Sequence, residues 1–408
     1  MVTVRGVSVR ALAYPALVGA PLVGDRVLLN VSALDAGLGT GGYALVVAIP
    51  GRLPADDPGA DGAQSPGHMV KSRYTPLQAM VASAEEQGSP HHELLRDADS
   101  LHGMPVVVAD LHSALPAVLA GLYAASAASH RAGTGRGSPR TVAYVMTDGG
   151  ALPAWFSRTV AGLREAGWLA ATVTTGQSFG GDLEAVTLHS GLLTARHAVG
   201  ADVAIVAQGP GNLGTGTRWG FSGVAAGEAV NAAATLGGRP VASLRLSFAD
   251  PRERHQGVSH HSLTAYGRVA LAAADVAVPQ LPEPQASRVA ADAAPLADRH
   301  RLVSVPLDGL EEALRGCPVP LSTMGRGLDD DLAYFLAAAA AGRHAAALSG
   351  VLPGHSSMRE PMMTVASRGR RKYSAASAVS LAVATKSCLR QRLMPGAFPR
   401  RISMVDRK

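Results

Sequence analysis

The alternation of short apolar runs with alanine-rich stretches, from about residue 104 to 350, constrains the fold most strongly. Short apolar runs are typical of strands buried on both faces, and their alternation with helices is typical of a parallel sheet. The predicted strands are Pro105–Ala109, Val142–Met146, Leu169–Val173, Val203–Ala207, Val241–Leu246 and Leu302–Val305. The predicted helices are Ala114–Ser129, Leu152–Glu165, Ser190–Val199, Ser222–Leu236, Leu263–Ala274, Leu307–Leu314 and Asp331–Leu348. Residues 104–350 therefore form a predicted α/β domain of the Rossmann-like class.

Three further segments flank this predicted domain. Residues 1–50 contain short alternating runs separated by glycine turns, which predicts a small antiparallel β module. Residues 51–103 begin with a stretch rich in proline, glycine and aspartate and are predicted to be a loop and connecting segment. Residues 354–408 have neither helical nor strand periodicity, which predicts a basic tail of low order.

The charge of the chain is concentrated in that tail. Of the 37 Lys and Arg residues 12 lie in residues 354–408, with 2 of the 31 acidic residues, so this segment carries +10 and the rest of the chain −4. A folded body with a slight negative charge lacks the basic field that holds nucleic acid. Few aromatic residues accompany the basic ones in the tail, which disfavours nucleic-acid binding there as well.

The sequence also argues against a membrane protein and an exported one. No uncharged apolar run reaches the length of about 18 residues that a membrane span requires. The apolar stretch after Arg10 is interrupted by Pro15, Gly19 and Pro21, unlike the core of a signal peptide. We therefore expect a cytoplasmic protein with no membrane partner.

Polar, glycine-rich loops follow five of the predicted strands. In an open parallel sheet such loops share the carboxyl edge, where ligands bind. Turn and helix-capping chemistry explains any one loop by itself, whereas five at one edge indicate a binding site. The candidate catalytic residues are Lys71, His112, Asp148, Asp182 and His260.

The loop after the fourth predicted strand, residues 209–214, matches the pattern G-x-G-x-x-G. It departs from a dinucleotide fingerprint, because it does not follow the first strand and no acidic residue ends the next one. No lysine follows the glycines, which excludes a Walker A loop. The loop is predicted to be either an anion-binding nest or a tight structural turn. The candidate ligand-binding residues are Arg73, Gln177, Gly209, Gly211, Asn212, Gly214, Thr215 and Thr217.

Histidine and aspartate side chains suggest two kinds of chemistry. Asp110 and His112 are candidate metal ligands, although their spacing is too short to be diagnostic. General acid–base catalysis by a histidine is an equal alternative, because its pKa lies near neutrality. In an extended chain His260 and His261 would point to opposite sides, so only one would face the site. The sequence specifies no cofactor.

Lys71 is the only lysine before residue 354, among 24 arginines. A compact ammonium at one position suggests a role that a planar guanidinium does not fill. If residues 71–75 are extended, Lys71, Arg73 and Thr75 share a face that would grip an anion. An ordinary surface lysine is the alternative.

Several of these segments resemble a bacterial family known only as a domain of unknown function, numbered 3866. The resemblance rests on GHMVKSRYTPLQ, VMTDGGALP, TTGQSFGGDLEAV, QGPGNLGTGTRWGFSG and SHHSLTAYGR, and on the N-terminal YPALVGAPLVGDRVLLNVSALDAGLGTGGYALV. It covers about residues 5 to 350, and the tail from about Gly354 departs from it. The resemblance implies no activity.

Two functions are consistent with this sequence. The leading hypothesis is an enzyme acting on a small anionic metabolite, phosphorylated metabolites included, by hydrolase- or transferase-type acid–base chemistry. The alternative is a non-catalytic ligand-binding or regulatory protein. Both predict a small-molecule ligand, and neither specifies an oligomeric state.

Overall fold

The computed structural model of the chain describes residues 1–4, 6–39, 41–52, 67–131, 140–349 and 381–384. The chain divides into two compact units, one formed by residues 1–55 and 367–408 and the other by residues 56–366. The larger unit contains the α/β fold and all the candidate site residues.

The larger unit is built on an eight-stranded parallel sheet. Its strands are β1 (Pro105–Val108), β2 (Val142–Thr147), β3 (Ala171–Thr174), β4 (Leu183–Glu184), β5 (Val203–Gln208), β6 (Arg239–Ser243), β7 (Asp275–Pro279) and β8 (Arg301–Val305). They lie in the order β4-β3-β2-β5-β1-β6-β7-β8. The central strands β1 and β5 are buried along their whole length, as expected for strands covered on both faces. The predicted Rossmann-like α/β fold is confirmed.

Eight helices accompany the sheet in the described part of the larger unit, apart from single turns. They are α1 (Leu115–Arg131), α2 (Arg158–Glu165), α3 (Leu188–Leu193), α4 (Ala225–Thr235), α5 (His260–Thr264), α6 (Gln285–Ala293), α7 (Leu310–Arg315) and α8 (Leu332–Ser349). Turns of π-helix, Thr194–Ala198 and Ala265–Val269, extend α3 and α5. Within the described ranges, no helix combines the length and the apolar character needed to span a bilayer.

The order of the strands determines which helices cover each face. The crossover through α1 leads from β1 towards β2, and the crossover through α4 leads from β5 towards β6 in the opposite direction. Right-handed crossovers running in opposite directions place their helices on opposite faces of a sheet. Accordingly α1 packs against α7 and α8, whereas α4 packs against α3 and the turn Ala265–Val269.

All six predicted strands are present in the main sheet, but two strands of that sheet and one of its helices were not predicted. The chain leaves the predicted helix 263–274 after Val269, where Ala270 adopts an extended conformation, and then forms β7. The two-residue strand β4 and the helix α6 are the other additions.

Smaller elements complete the larger unit. Three short antiparallel pairs join Met69–Lys71 with Ala79–Val81, Leu246–Ser247 with Gly257–Val258, and Ser322–Thr323 with Arg326–Gly327. One helical turn covers His92–Leu95, and tight 3-10 turns cover His112–Ala114, Ala154–Phe156, Ser222–Val224, Glu253–His255 and Ala294–Asp298.

The smaller unit contains the predicted N-terminal antiparallel pairing. Val2–Val4 pairs antiparallel with Val7–Val9, and Leu28–Asn30 pairs antiparallel with Ala44–Ala48. Two further pairs are parallel, namely Ala11–Leu12 with Ala44–Ala48 and Val2–Val4 with Leu381–Ala384. Short helices cover Pro15–Val18 and Ser32–Asp35. Apart from residues 381–384, the predicted tail 354–408 lies outside the described residues, as do residues 53–66 of the predicted loop.

Candidate functional site

The sheet has a topological switch point between β1 and β5, because the crossovers from these neighbouring strands run in opposite directions. Open α/β sheets bind ligands in the crevice at such a point, outside the carboxyl ends of the strands. Asp110 follows β1 there, and Gln208 is the last residue of β5. The Gln208 amide donates hydrogen bonds to the backbone carbonyl of Asp110 at 2.8 Å and to Asn212 Oδ1 at 3.0 Å. A crevice of about 10 Å³ lies at this point, lined mainly by small apolar residues together with Asp110, Gln208 and Ser222.

A buried group of opposite charges surrounds Asp110. Its Oδ2 lies 3.8 Å from Arg245 Nη1 and 3.5 Å from His261 Nδ1, and all three side chains are buried. These distances exceed hydrogen-bond length, and Asp110 Oδ2 has no hydrogen-bond partner among the described residues. The His261 ring stacks on Phe221, with ring centroids 3.7 Å apart. A buried carboxylate oxygen without a hydrogen bond is costly, so it is a feature expected at a functional site rather than in a core.

Arg245 is held in place from its other side by a second buried carboxylate. Arg245 Nη2 lies 4.0 Å from Asp250 Oδ2, which also contacts Arg252 at 2.8 Å and Arg326 at 3.2 Å. The hydrogen bonds from Arg252 lower the pKa of Asp250 well below its usual value. Arg326 continues the network to Asp331 at 2.9 Å. The guanidinium of Arg245 is thus positioned between Asp110 and Asp250.

The glycine loop after β5 lies open at the switch point. Gly211 and Gly216 have φ angles of 90° and 78°, a region that glycine adopts without strain. In the described part of the chain no hydrogen bond uses the backbone N–H groups of Gly211, Asn212 or Gly214. A Cβ added to Gly216 would lie 3.8 Å from Arg254 Nη2. Free N–H groups beside an exposed guanidinium make an environment suited to an anion.

The hydroxyl groups of Thr215 and Thr217 instead close the loop on itself. Their oxygens lie 3.0 Å apart, and Thr217 Oγ1 accepts a hydrogen bond from the Gly220 N–H at 3.1 Å. Asn212 Oδ1 likewise accepts from Gln208 and from Ser222. Gly209 is buried against the backbone of Ala151, where a Cβ would lie 2.3 Å from its carbonyl oxygen. These residues shape the loop and leave its N–H groups accessible.

The loop after β2 fits tightly against the glycine loop. A Cβ on Gly149 would lie 2.6 Å from Gln208 Oε1, and one on Gly150 would lie 2.2 Å from the carbonyl oxygen of Gly209. Asp148 precedes these glycines, is exposed, and accepts a hydrogen bond from the Gln177 N–H at 2.8 Å. The loops after β3, β2 and β5 therefore form one continuous edge with Asp110.

Lys71 is completely buried beneath the β3 end of this edge. Its Nζ donates to the carbonyl of Gly176 at 2.8 Å and lies 3.5 Å from Glu184 Oε2. Burial lowers the pKa of Lys71 and raises that of Glu184, because it disfavours both charges. The ammonium of Lys71 and the carboxylate of Glu184 stabilise each other. The hydroxyl of Thr174 also stabilises this carboxylate by donating a hydrogen bond to it at 2.7 Å.

The expectation that Lys71, Arg73 and Thr75 share one face is wrong. The strand Met69–Lys71 ends at Lys71, and Ser72 has a φ of 48°, so the chain turns instead of continuing extended. Arg73 is exposed, and its backbone N–H donates to Gln177 Oε1 at 3.2 Å. Lys71 supports the edge from within, and Arg73 and Gln177 lie on its surface.

Two of the predicted catalytic residues lie away from this edge. His112 is buried between Tyr144 Oη at 3.0 Å and Ser157 Oγ at 2.8 Å, and its burial lowers its pKa to about 4. Both ring nitrogens are therefore engaged, and His112 does not join Asp110 as a metal ligand. Asp182 pairs with Arg164 at 2.9 Å and accepts from the Thr172 N–H at 2.7 Å, beside the amino end of β3.

Three histidines that come from two elements cluster beside Asp110. The ligand nitrogens of His255, His260 and His261 all lie within 4.8 Å of one another. His260 and His261 begin α5, and successive side chains of a helix do not point to opposite sides. Their ring centroids lie 4.5 Å apart. The expectation that only one of them faces the site is therefore wrong. Burial lowers the pKa of His255 to about 3 and that of His260 to about 4, and neighbouring arginines add to both shifts.

Sequence reasoning did not single out Arg245 or Glu184 as site residues. Arg245 interrupts the apolar run SLRLSF, and Glu184 interrupts LEAV. A charged residue inside an apolar run is the sequence feature that could have identified them as site residues. His255 belongs to the loop after the fifth predicted strand and was expected near the edge, but its position beside His260 and His261 depends on the turn Glu253–His255.

The fold is that of a doubly wound α/β protein, with a cluster of buried charged side chains at its switch point. The model of the family described as "Protein of unknown function (DUF3866)" matches residues 10–342, so the chain belongs to that family. No curated protein and no solved structure matches the chain significantly.

Proposed function

We propose that this protein is an enzyme that binds a small anionic metabolite at the switch-point crevice and converts it by acid–base chemistry. The observation that carries the proposal is that the backbone N–H groups of Gly211, Asn212 and Gly214 make no hydrogen bond in the described part of the chain, in a loop whose Gly216 lies against the exposed Arg254. Backbone N–H groups that converge on an open position favour phosphate and carboxylate oxygens.

The roles of the side chains follow from their burial. The N–H groups of Gly211, Asn212 and Gly214 and the exposed Arg254 would hold the anion. Asp110 would act on it as a general base, because its side chain belongs to a residue that lines the crevice and its Oδ2 has no hydrogen-bond partner among the described residues. Arg245, 3.8 Å from Asp110, would stabilise charge that develops during the reaction.

The first experiment measures binding. The full chain is titrated calorimetrically with inorganic phosphate, sugar phosphates, nucleotides and dicarboxylates. We expect one class of these anions to bind, and Arg254→Ala to weaken that binding about tenfold, as for the loss of one exposed charge-assisted contact. Arg268→Ala changes an exposed arginine on the π-helical turn after α5 and serves as the matched control. Equal affinities for the two variants would contradict the assigned anion position.

The second experiment measures conversion. Each bound anion is incubated with the protein, and the products are identified by mass spectrometry. We expect product formation by the wild type, and its loss in Asp110→Asn with the fold retained. Binding without conversion would instead support a non-catalytic ligand-binding protein.

A further inference from the structure

We propose that His255, His260 and His261 form a binding site for a transition-metal ion, with Zn²⁺ as the preferred metal. The ligand nitrogens of the three rings lie within 4.8 Å of one another. Zinc bonded to imidazole nitrogens at about 2.0–2.1 Å in a tetrahedron separates those nitrogens by about 3.3 Å. Small rotations of the side chains would therefore close the cluster around one ion.

The hydrogen bonds of the cluster use the Nδ1 atoms of His255 and His261. His255 Nδ1 contacts Ser259 Oγ at 2.6 Å, and His261 Nδ1 accepts a hydrogen bond from Arg245 Nη1 at 3.0 Å. His260 Nε2 is buried and has no hydrogen-bond partner among the described residues. A buried ring nitrogen without a partner is costly in a merely structural cluster, and a metal ion would satisfy it.

The groups around the three rings are those that orient metal-bound histidines. Such a histidine generally donates its second N–H to a carboxylate or another oxygen, which fixes the ring and its tautomer. Ser259 Oγ, 2.6 Å from His255 Nδ1, occupies this position for His255. A metal on His261 Nε2 would require the ring proton to move to Nδ1, which would then donate to Asp110 Oδ2, 3.5 Å away, instead of accepting from Arg245. The face of Phe221 stacked on His261 limits movement of that ring. Asp110 would therefore also orient His261 when a metal is bound.

The composition of the site indicates what its fourth position would take. Three neutral imidazoles leave the two charges of the ion uncompensated, and Arg252 and Arg254 add positive charge near His260. Three histidines with an open position are the pattern of a catalytic zinc site rather than a structural one. An anionic oxygen is therefore the expected fourth ligand. Only this last step depends on the proposed function, in which that oxygen belongs to the bound metabolite.

The test uses the full chain stripped with a chelator and then titrated with Zn²⁺ alone, with Co²⁺ as a spectroscopic probe. We expect one equivalent of Zn²⁺ per chain and the visible absorption of four-coordinate Co²⁺. His260→Ala should abolish the Co²⁺ spectrum and weaken Zn²⁺ binding by at least about 100-fold. Asp110→Asn should weaken it by about 10–100-fold, as is typical for partners of metal ligands. His189→Ala, in an exposed position on α3, is the matched control and should bind like the wild type.

His260→Gln provides a second variant in case the alanine variant unfolds, and circular dichroism reports the fold of each. Failure of the wild type to bind one equivalent, or wild-type affinity in a folded His260 variant, would overturn the metal site. Anion binding measured without metal is unaffected by that result, so the metal proposal and the anion proposal fail separately.

Discussion

At the residue scale, Lys71 shows how a buried charge depends on its partner. Its ammonium is fully buried, and the nearby charge that compensates it is Glu184, 3.5 Å away. We expect Lys71→Met to reduce the free energy of unfolding by about 3–5 kcal/mol, because it leaves Glu184 buried without its partner. Chemical denaturation monitored by circular dichroism measures this loss.

Two further variants distinguish the loss of the Lys71–Glu184 pair from a general effect of mutation on stability. Arg73→Met removes an exposed cation two residues away and should change stability by less than about 0.5 kcal/mol. Adding Glu184→Met to Lys71→Met should recover part of the loss, since both buried charges are then removed. A double variant no more stable than Lys71→Met would contradict the pairing.

His112 links stability to pH. Burial lowers its pKa in the folded protein from 6.5 to about 4, so the unfolded chain takes up the proton first as the pH falls. The contribution of neutral His112 is complete above pH 6.5 and is lost as the pH falls towards 4, by at most about 3 kcal/mol. We expect His112→Gln, which keeps a donor and an acceptor but does not titrate, to flatten the dependence of unfolding free energy on pH in this window.

The comparison for His112 is an exposed histidine. His189→Gln, an equivalent substitution at an exposed position on α3, should leave the pH dependence as it is in the wild type. Identical slopes for His112→Gln and the wild type would show that Tyr144 and Ser157 tolerate the charged ring.

At the scale of elements, the contact of α1 with α8 depends on two glycines. A Cβ on Gly121 or on Gly342 would lie 1.9 Å from a backbone oxygen of the other helix, Ala339 and Val118 respectively. We expect either glycine-to-alanine substitution to force the helices apart and to destabilise the protein by about 1–3 kcal/mol, as overpacking does. Gly316→Ala, whose Cβ would meet its nearest neighbour at 3.4 Å, is the control. Thermal unfolding of the three variants provides the comparison.

The elements that the sequence predicts well are those with a strong apolar run of their own. β1 and β5 are continuous apolar strands, and α8 is a long alanine-rich helix, so local pattern alone identifies them. β4 has two residues and exists only because it pairs with β3. β7 begins with a charged residue, Asp275, whose partners Arg301 and His344 come from distant parts of the chain.

At the scale of the whole molecule, the sequence predicts that the loops share an edge but not which residues meet there. The parallel sheet brings the ends of β1, β5 and β6 together, which unites Asp110 with Arg245. The histidine cluster requires in addition that the chain from Arg245 fold back through two turns to α5. Asp182 and His112 were predicted to lie at this edge but form other contacts. The loop after β3 returns along that strand and brings Asp182 to the N–H of Thr172. The turn after β1 directs the His112 side chain into the core, where it contacts Ser157.

The same long-range packing predicts which part of the chain folds independently. The main apolar core consists of residues between Ala84 and Leu348. Near the end of α8, the carbonyl of Ala346 accepts a hydrogen bond from Arg140 at 2.9 Å. A chain of residues 67–349 should therefore unfold in one cooperative transition with helical and strand content intact. A chain of residues 67–331 lacks α8, exposes the face on which it packs, and should not fold. Circular dichroism and thermal melts of both chains test this, and cooperative unfolding of the shorter chain would show that α8 is dispensable for the core.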